Sequence, residues 1–176
     1  KLLKNKLNNK RVIQIYKKFE KSLDIKENFV VAVSGGPDSL ALAFLAKIYA
    51  INFQLSPKFL IVDHKLRPES SKEAKKVKDI LKKFFISCEI LTWNGKKPLK
   101  NIQSLARVKR YQLIYKYCDK FKIKNILLGH HQDDLFENFF IRMLRGSGLK
   151  GLISLDKKIN INNKNLLRPL LNQKKE

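Results

Sequence analysis

Apolar residues recur along the chain with two different periods, and the switching between those periods predicts most of its elements. Over residues 8–22, Val12, Ile15, Tyr16 and Phe19 fall at helical spacing. The run Phe29-Val30-Val31-Ala32-Val33 is short, β-rich and continuously apolar, as a buried strand is. Ser34-Gly35-Gly36-Pro37 breaks it, and a helix is expected over 38–50. Residues 58–62 read as a second buried strand. Ser70-x-x-Glu73 has the spacing of a capping box for a helix reaching 85. A third strand is expected over 87–92, a loop over 94–100, a long helix over 102–121, a fourth strand over 125–128 and another helix over 131–145. After Gly146 the pattern dissolves into glycines, then a hairpin-like Asn/Lys-rich stretch at 157–165, then Leu166-Leu167-Arg168-Pro169-Leu170-Leu171.

Strands alternating with helices imply βαβ units. The expected fold class is therefore α/β, a doubly wound, mostly parallel, Rossmann-like sheet with helices on both faces. The 176 residues suit one domain, with 1–27 as a helical lead-in. Ligands of such sheets bind beyond the carboxyl ends of the strands, so the loops after Val33, Val62 and Leu128 are expected to meet at one site.

Composition narrows the choice of partner. The formal charge of +23 favours a polyanion such as nucleic acid, although a general drift toward Lys, Asn and Ile would also produce a lysine-rich solvated surface. The arginines say more. A chain drifting toward lysine keeps arginine where the planar, bidentate guanidinium has no substitute. Arg67, Arg107, Arg110, Arg142 and Arg145 lie in the five segments described next, Arg168 lies in the later Arg168-Pro169-Leu170-Leu171 stretch, and only Arg11 lies outside them all. His64, His130 and His131 lie in them too. Cys88 and Cys118 stand apart with no Cys-x-x-Cys pair, which argues against a cysteine-held zinc or iron–sulfur site and suits a reducing, cytoplasmic setting. No apolar run approaches the ~20 residues of a membrane helix. Met143 is the only methionine, so the chain reads as trimmed at its front.

The first segment, Ser34-Gly35-Gly36-Pro37-Asp38-Ser39, follows a strand and opens a helix. Glycines let the backbone curl its N–H groups around an anion, and the helix N-terminus adds partial positive charge. It lacks the Gly-Lys-Ser/Thr of a Walker loop and the glycine spacing of a dinucleotide fingerprint. In the second, Ile61 to Ser70, Asp63 and His64 end a strand where a nucleotide would sit, and Arg67 suits a phosphate or a carboxylate; a capped surface turn would look the same. In the third, 101–111, Arg107 and Tyr111 share a helix face with Arg110 beside it. Two arginines near a helix start oppose its dipole, which points to an external anion, against the plainer reading of a solvated basic face. In the fourth, 129–138, His130 and His131 precede Asp133, Asp134 and Glu137. Clustered carboxylates after a parallel strand suit Mg²⁺ held with phosphates, or proton acceptance from an amine. They also suit simple dipole compensation. Phe136, Phe139, Phe140, Met143 and Leu144 read as core. The fifth, Arg142 to Leu152, ends a helix at glycine and continues as a basic turn that either closes over substrate or only connects.

These five segments, in this order, resemble the tRNA(Ile)-lysidine synthetase family over roughly residues 29–171. The loop Ser34–Ser39 alone marks the wider ATP pyrophosphatase, or PP-loop, superfamily. Gly129-His130-His131-Gln132-Asp133-Asp134 with Glu137, then Arg145-Gly146-Ser147-Gly148 and Arg168-Pro169-Leu170-Leu171, is more specific. Asn138 stands where the family usually has Thr. The resemblance implies an adenine nucleotide α-hydrolase type of fold and an ATP- and Mg²⁺-dependent ligase. ATP would adenylate the wobble cytidine of tRNA(Ile) with a CAU anticodon, and the ε-amine of free L-lysine would displace AMP to give lysidine. It further implies that Ser34, Gly35, Gly36, Pro37, Asp38 and Ser39 hold pyrophosphate, with Asp63 and His64 beside the nucleotide. Asp38 and Asp134 would hold the metal, Arg107 and Arg110 would contact the activated base or phosphate, and His130 with Asp134 and Glu137 would orient the lysine. The family normally carries further helical regions that grip the tRNA, so the chain is expected to be a fragment or a short version. Rival expectations are a tRNA thiolase of the same superfamily, an amidotransferase-type synthetase, and a noncatalytic RNA-binding module.

Overall fold

A computed structural model of the chain describes residues 9–95, 102–130 and 157–171. Helix α1 (Lys10–Lys21) leads into strand β1 (Phe29–Val33), then α2 (Pro37–Asn52), β2 (Lys58–Asp63), α3 (Ser70–Lys82), β3 (Cys88–Thr92), α4 (Ile102–Lys120), β4 (Asn125–Leu128), β5 (Lys158–Ile161) and β6 (Lys164–Leu167). The six strands form one sheet in the order β3-β2-β1-β4-β6-β5, with all pairings parallel except the β5–β6 hairpin. The doubly wound, mostly parallel α/β fold read from the alternation is the fold observed.

The continuous apolar strands have cores on both sides. Along β1, Phe29, Val31 and Val33 pack into one cluster with Tyr16, Phe19, Leu42, Leu45, Ala46 and Leu81, from α1, α2 and α3. Val30 packs into the other, with Leu60, Ile114, Tyr117, Cys118, Ile126 and Leu166. Successive residues of a strand point to opposite faces, so β1 needs apolar residues at every position, and it sits at the centre of the sheet. Helix α1 is tied to this core by Phe19, which is fully buried. The Tyr49 hydroxyl on α2 donates to the Ile25 carbonyl at 2.9 Å and accepts from the Ile25 N–H, clamping the approach to β1.

Two expectations are corrected. Ser70 does not cap α3: Glu69 occupies the N-cap position without a side-chain bond, and the Ser70 hydroxyl donates to Asp63 at 2.7 Å. The helix also stops at Lys82, and Phe85 turns the chain away at φ +57°. The hairpin is longer than the polar stretch suggested. Asn162 and Asn163 form its turn at φ +52° and +58°, and Leu166 and Leu167 belong to β6, which pairs in parallel with β4. The local pattern shows the turn, but only the neighbouring strand shows that those leucines extend the sheet.

Candidate functional site

The chain order of this sheet reverses between β1 and β4, since β1 leads outward to β2 and β3 while β4 lies on its other side. A crevice opens at such a reversal, beyond the strand ends. The segments after β1 and β4 meet there. One cavity of about 80 Å³ is lined by Ser34, Ser39, Val62, Arg110, Tyr111, Gly129 and His130, among others. An adjoining one of about 200 Å³ is lined by residues including Ser34, Asp63, His64, Arg67, Ser70, Glu73, Val77 and Arg110. Both share Val33, Ser34, Val62 and Arg110. A larger cavity of about 580 Å³, walled by Val12, Leu40, Phe44, Ile80 and Phe84, is almost wholly apolar and carries no reactive group.

The Ser34–Ser39 loop is built from close approaches. Gly35 sits at φ +92°, a region favouring glycine, and a Cβ there would stand 2.8 Å from Cγ2 of Val77 on α3. Gly36 is the N-cap of α2 and offers no side chain to its first N–H groups, while Pro37 occupies the first turn. The end of β4 presses onto that turn: a Cβ on Gly129 would lie 3.0 Å from Cα and 3.1 Å from N of Ser39. The Ser39 hydroxyl ties the loop together. It accepts from the Gly35 N–H at 3.1 Å and donates to the Gly36 carbonyl at 2.8 Å. Ser39 is buried, Ser34 is exposed, and Asp38 lies in the first turn of α2. A glycine turn delivering an uncapped helix N-terminus to a crevice is a cradle for an anion.

Asp63 ends β2 almost fully buried. Its carboxylate accepts from the Ser70 hydroxyl, the Ser71 hydroxyl and the Lys65 N–H at 2.9 Å. Burial alone would raise its pKa, but those three donors and the Lys65 charge together hold it below the ordinary carboxylate value. Asp63 thus shapes the loop that carries Lys65 at φ +50°. His64 follows, its pKa lowered by burial and then by the Arg110 charge, with Asp63 opposing. Arg110 reaches across from α4 to donate its Nε–H to His64 Nε2 at 3.4 Å. Arg67 found a carboxylate, pairing with Glu73 at 2.9 Å where both are exposed, a contact worth about 0–1 kcal/mol after solvent screening.

The structure brings Ser34, Ser39, Arg110 and His130 to one cavity, and Asp63 and His64 to the next. Arg107 is exposed on α4 and lines neither. Asp134 and Glu137, with His131, Arg142 and Arg145, lie outside the described residues. Among the described residues no three His, Cys, Asp or Glu side chains gather closely enough to hold a metal. One residue singled out in the sequence without a role takes its place here. Arg168, just past β6, is only 4% exposed and donates its Nε–H to His130 Nδ1 at 3.2 Å. Its signal was the arginine itself, retained in a lysine-rich chain.

A parallel sheet with an anion cradle at its reversal point defines a nucleotide-binding class, and the chain belongs to the PP-loop domain family, which it matches over residues 5–176. It is similar to proteins named tRNA(Ile)-lysidine synthase. Identity is 43% with that of Orientia tsutsugamushi, over 83% of this chain and 33% of the relative. It is 44% with that of Wolbachia pipientis wMel, over 81% and 33%, and 39% with that of Rhodopseudomonas palustris, over 81% and 42%. The chain thus spans a third to two fifths of the length of these relatives. Among solved structures, a U34-tRNA thiolase from Methanococcus maripaludis has the same fold, with a TM-score of 0.79 at 18% identity, covering 94% of this chain and 61% of that one. No helix among the described residues is long and apolar enough to cross a membrane.

Proposed function

We propose that the chain is the ATP-using catalytic domain of a cytoplasmic enzyme that ligates free L-lysine to the wobble cytidine of tRNA(Ile) with a CAU anticodon, through an adenylated cytidine, to give lysidine. The observation that carries this reading is the convergence of the Ser34–Ser39 cradle, Arg110 and His130 on one crevice, in a chain about 40% identical to proteins named for that reaction.

The cradle suits the phosphates of ATP, and the Mg²⁺ that would accompany them is assigned to carboxylates of this chain. Gly36 opens α2 without a side-chain cap, so the helix N-terminus offers its N–H groups to phosphate, and Ser34 adds an exposed hydroxyl. Asp38, in the first turn, with Asp134 would share Mg²⁺ with phosphate oxygens, which suits a cation that keeps few protein ligands. The metal would supply charge neutralisation at the phosphate under attack. Arg110 contributes a fixed positive charge at the junction of the two cavities, where the activated base or phosphate would lie, with His64 and the Asp63 loop beside the nucleotide. Arg107, exposed on the same helix, is assigned with it to the activated base or phosphate. The lysine ammonium, with an ordinary pKa near 10.4, must lose a proton before it attacks, and Asp134 and Glu137 are assigned to that step.

A sulfur-transfer reading gains nothing from the two cysteines. Burial raises Cys118 to about 11 and Cys88 to about 12, so both are protonated thiols set in the core. Lysine incorporation into tRNA transcripts differing only at the wobble base tests the proposal. Incorporation dependent on ATP and confined to the cytidine transcript is expected. AMP release with equal labelling of both transcripts would sink it.

A further inference from the structure

We propose that Arg168 is a positioning residue that holds His130 as a neutral imidazole with its proton on Nε2, so that His130 meets the nucleotide as a hydrogen-bond donor and not as a base. The donor half of this inference rests on the ATP reading above; the tautomer half does not.

The chemistry of the contact is one-sided. A guanidinium carries five N–H donors, has no acceptor and keeps its charge at every pH a folded protein meets. Its Nε–H lies 3.2 Å from His130 Nδ1. Nδ1 must therefore offer its lone pair, which excludes both the imidazolium and the tautomer protonated at Nδ1. The remaining proton belongs to Nε2. Arg168 cannot readily swing away from this task. It is 4% exposed, its own N–H donates to the Lys157 carbonyl at 2.8 Å, and its carbonyl accepts from the Leu171 N–H at 3.2 Å. Its charge also reaches Tyr115 on α4.

The same device occurs across the crevice. Arg110 donates to His64 Nε2, and His64 is held below the ordinary histidine pKa by burial and then by that arginine. Two imidazoles of the site thus each receive an arginine N–H, with the opposite ring nitrogen left to carry the proton. Neither can accept the proton of an attacking amine while its arginine contact stands. A donor at His130 matches an acceptor oxygen, and His130 lines the cavity with Ser34 and Arg110, where phosphate oxygens are proposed. Proton removal from lysine then falls to the carboxylates alone.

Ring ¹⁵N spectra of the labelled protein at neutral pH test this directly, with separate His64→Gln and His131→Gln variants assigning the signals. His130 is expected to be protonated at Nε2 only. Arg168→Met, which keeps bulk but offers no donor, should show a mixture of tautomers, and Arg168→Lys should restore the single one. ATP binding by Arg168→Met should weaken about tenfold, the scale of one well-placed hydrogen bond. An imidazolium or a proton on Nδ1 in the unmodified protein would overturn the proposal, as would a spectrum of Arg168→Met unchanged from it. If Arg168→Met loses its amide dispersion, the unmodified protein and Arg168→Lys decide. An Nε2–H His130 in a protein that does not bind ATP would overturn the donor role and the nucleotide reading together, while leaving the arginine's hold on the ring in place.

Discussion

A methyl group at position 129 would stand 3.0 Å from Cα of Ser39, and backbone cannot rotate out of its way. Gly129→Ala must therefore push the end of β4 from the first turn of α2, and a stability loss of about 1–3 kcal/mol is expected from such overpacking. Gly35→Ala should lose a comparable amount, through its positive φ and the Val77 contact. Gly36→Ala should leave stability nearly unchanged, because its Cβ would meet only Ser34 Oγ at 3.9 Å. Thermal midpoints of the three variants check the ranking, and a Gly36→Ala as damaged as Gly129→Ala would refute it. Asp63 and His64 make a second residue-scale prediction, about pH. Both have folded-state pKa values below their ordinary ones, so the unfolded chain binds more protons and each group's contribution is lost as pH falls. His64 should begin to cost stability below about pH 6.5, and Asp63 only below about pH 4. Denaturant midpoints across pH should show His64→Gln flattening the upper part of that decline and Asp63→Asn the acid part.

At the scale of elements, the β5–β6 hairpin carries Arg168 to the site, so its turn matters beyond the sheet edge. Asn162 and Asn163 both sit at positive φ, the geometry of a two-residue turn that matches strand twist. Asn tolerates that region and a β-branched residue does not. Asn163→Val is expected to cost about 1–2 kcal/mol and Asn163→Gly to be neutral or slightly stabilising. Calorimetry of the pair measures it, and equal midpoints would mean that the hairpin contributes little to global stability. The Tyr49 hydroxyl is a similar tie between elements. Tyr49→Phe leaves the buried Ile25 N–H and carbonyl without that partner, a loss of about 1–3 kcal/mol. The hairpin turn was readable from Asn-rich composition. The capping box was not reliable, because Ser70 had a buried carboxylate within reach and no local pattern records that.

For the molecule as a whole, a charge of +23 on 176 residues makes electrostatics the first term in any encounter with tRNA. Each phosphate neutralised releases counterions, so affinity should fall along a straight line of log K against log salt concentration. A loss of about 10³-fold or more between 50 and 200 mM salt is expected if six or more phosphates are engaged. A salt-independent affinity would show that the lysines are only a solvated surface. ATP binding, which the proposed function assigns to a crevice with few charged side chains, should change far less over the same range.

Local chemistry determined the elements. Inner strands buried on both faces are apolar almost throughout, so β1, β2 and β4, with the helices beside them, were visible in the period of the sequence alone, and the shorter apolar run of the edge strand β3 was visible too. The same holds for the Ser34–Ser39 turn, because a glycine pair between a buried strand and a helix has few other uses. What the chain could not show by itself is which distant groups meet. That Arg168 lies against His130, that Arg110 rather than Arg107 reaches the crevice, and that Ser70 and Ser71 hold Asp63 all depend on strand order and helix rotation. The arginine contacts join residues 38 and 46 positions apart and the serine contacts close a loop of seven and eight, and in each case the packing of the sheet and its helices decides them.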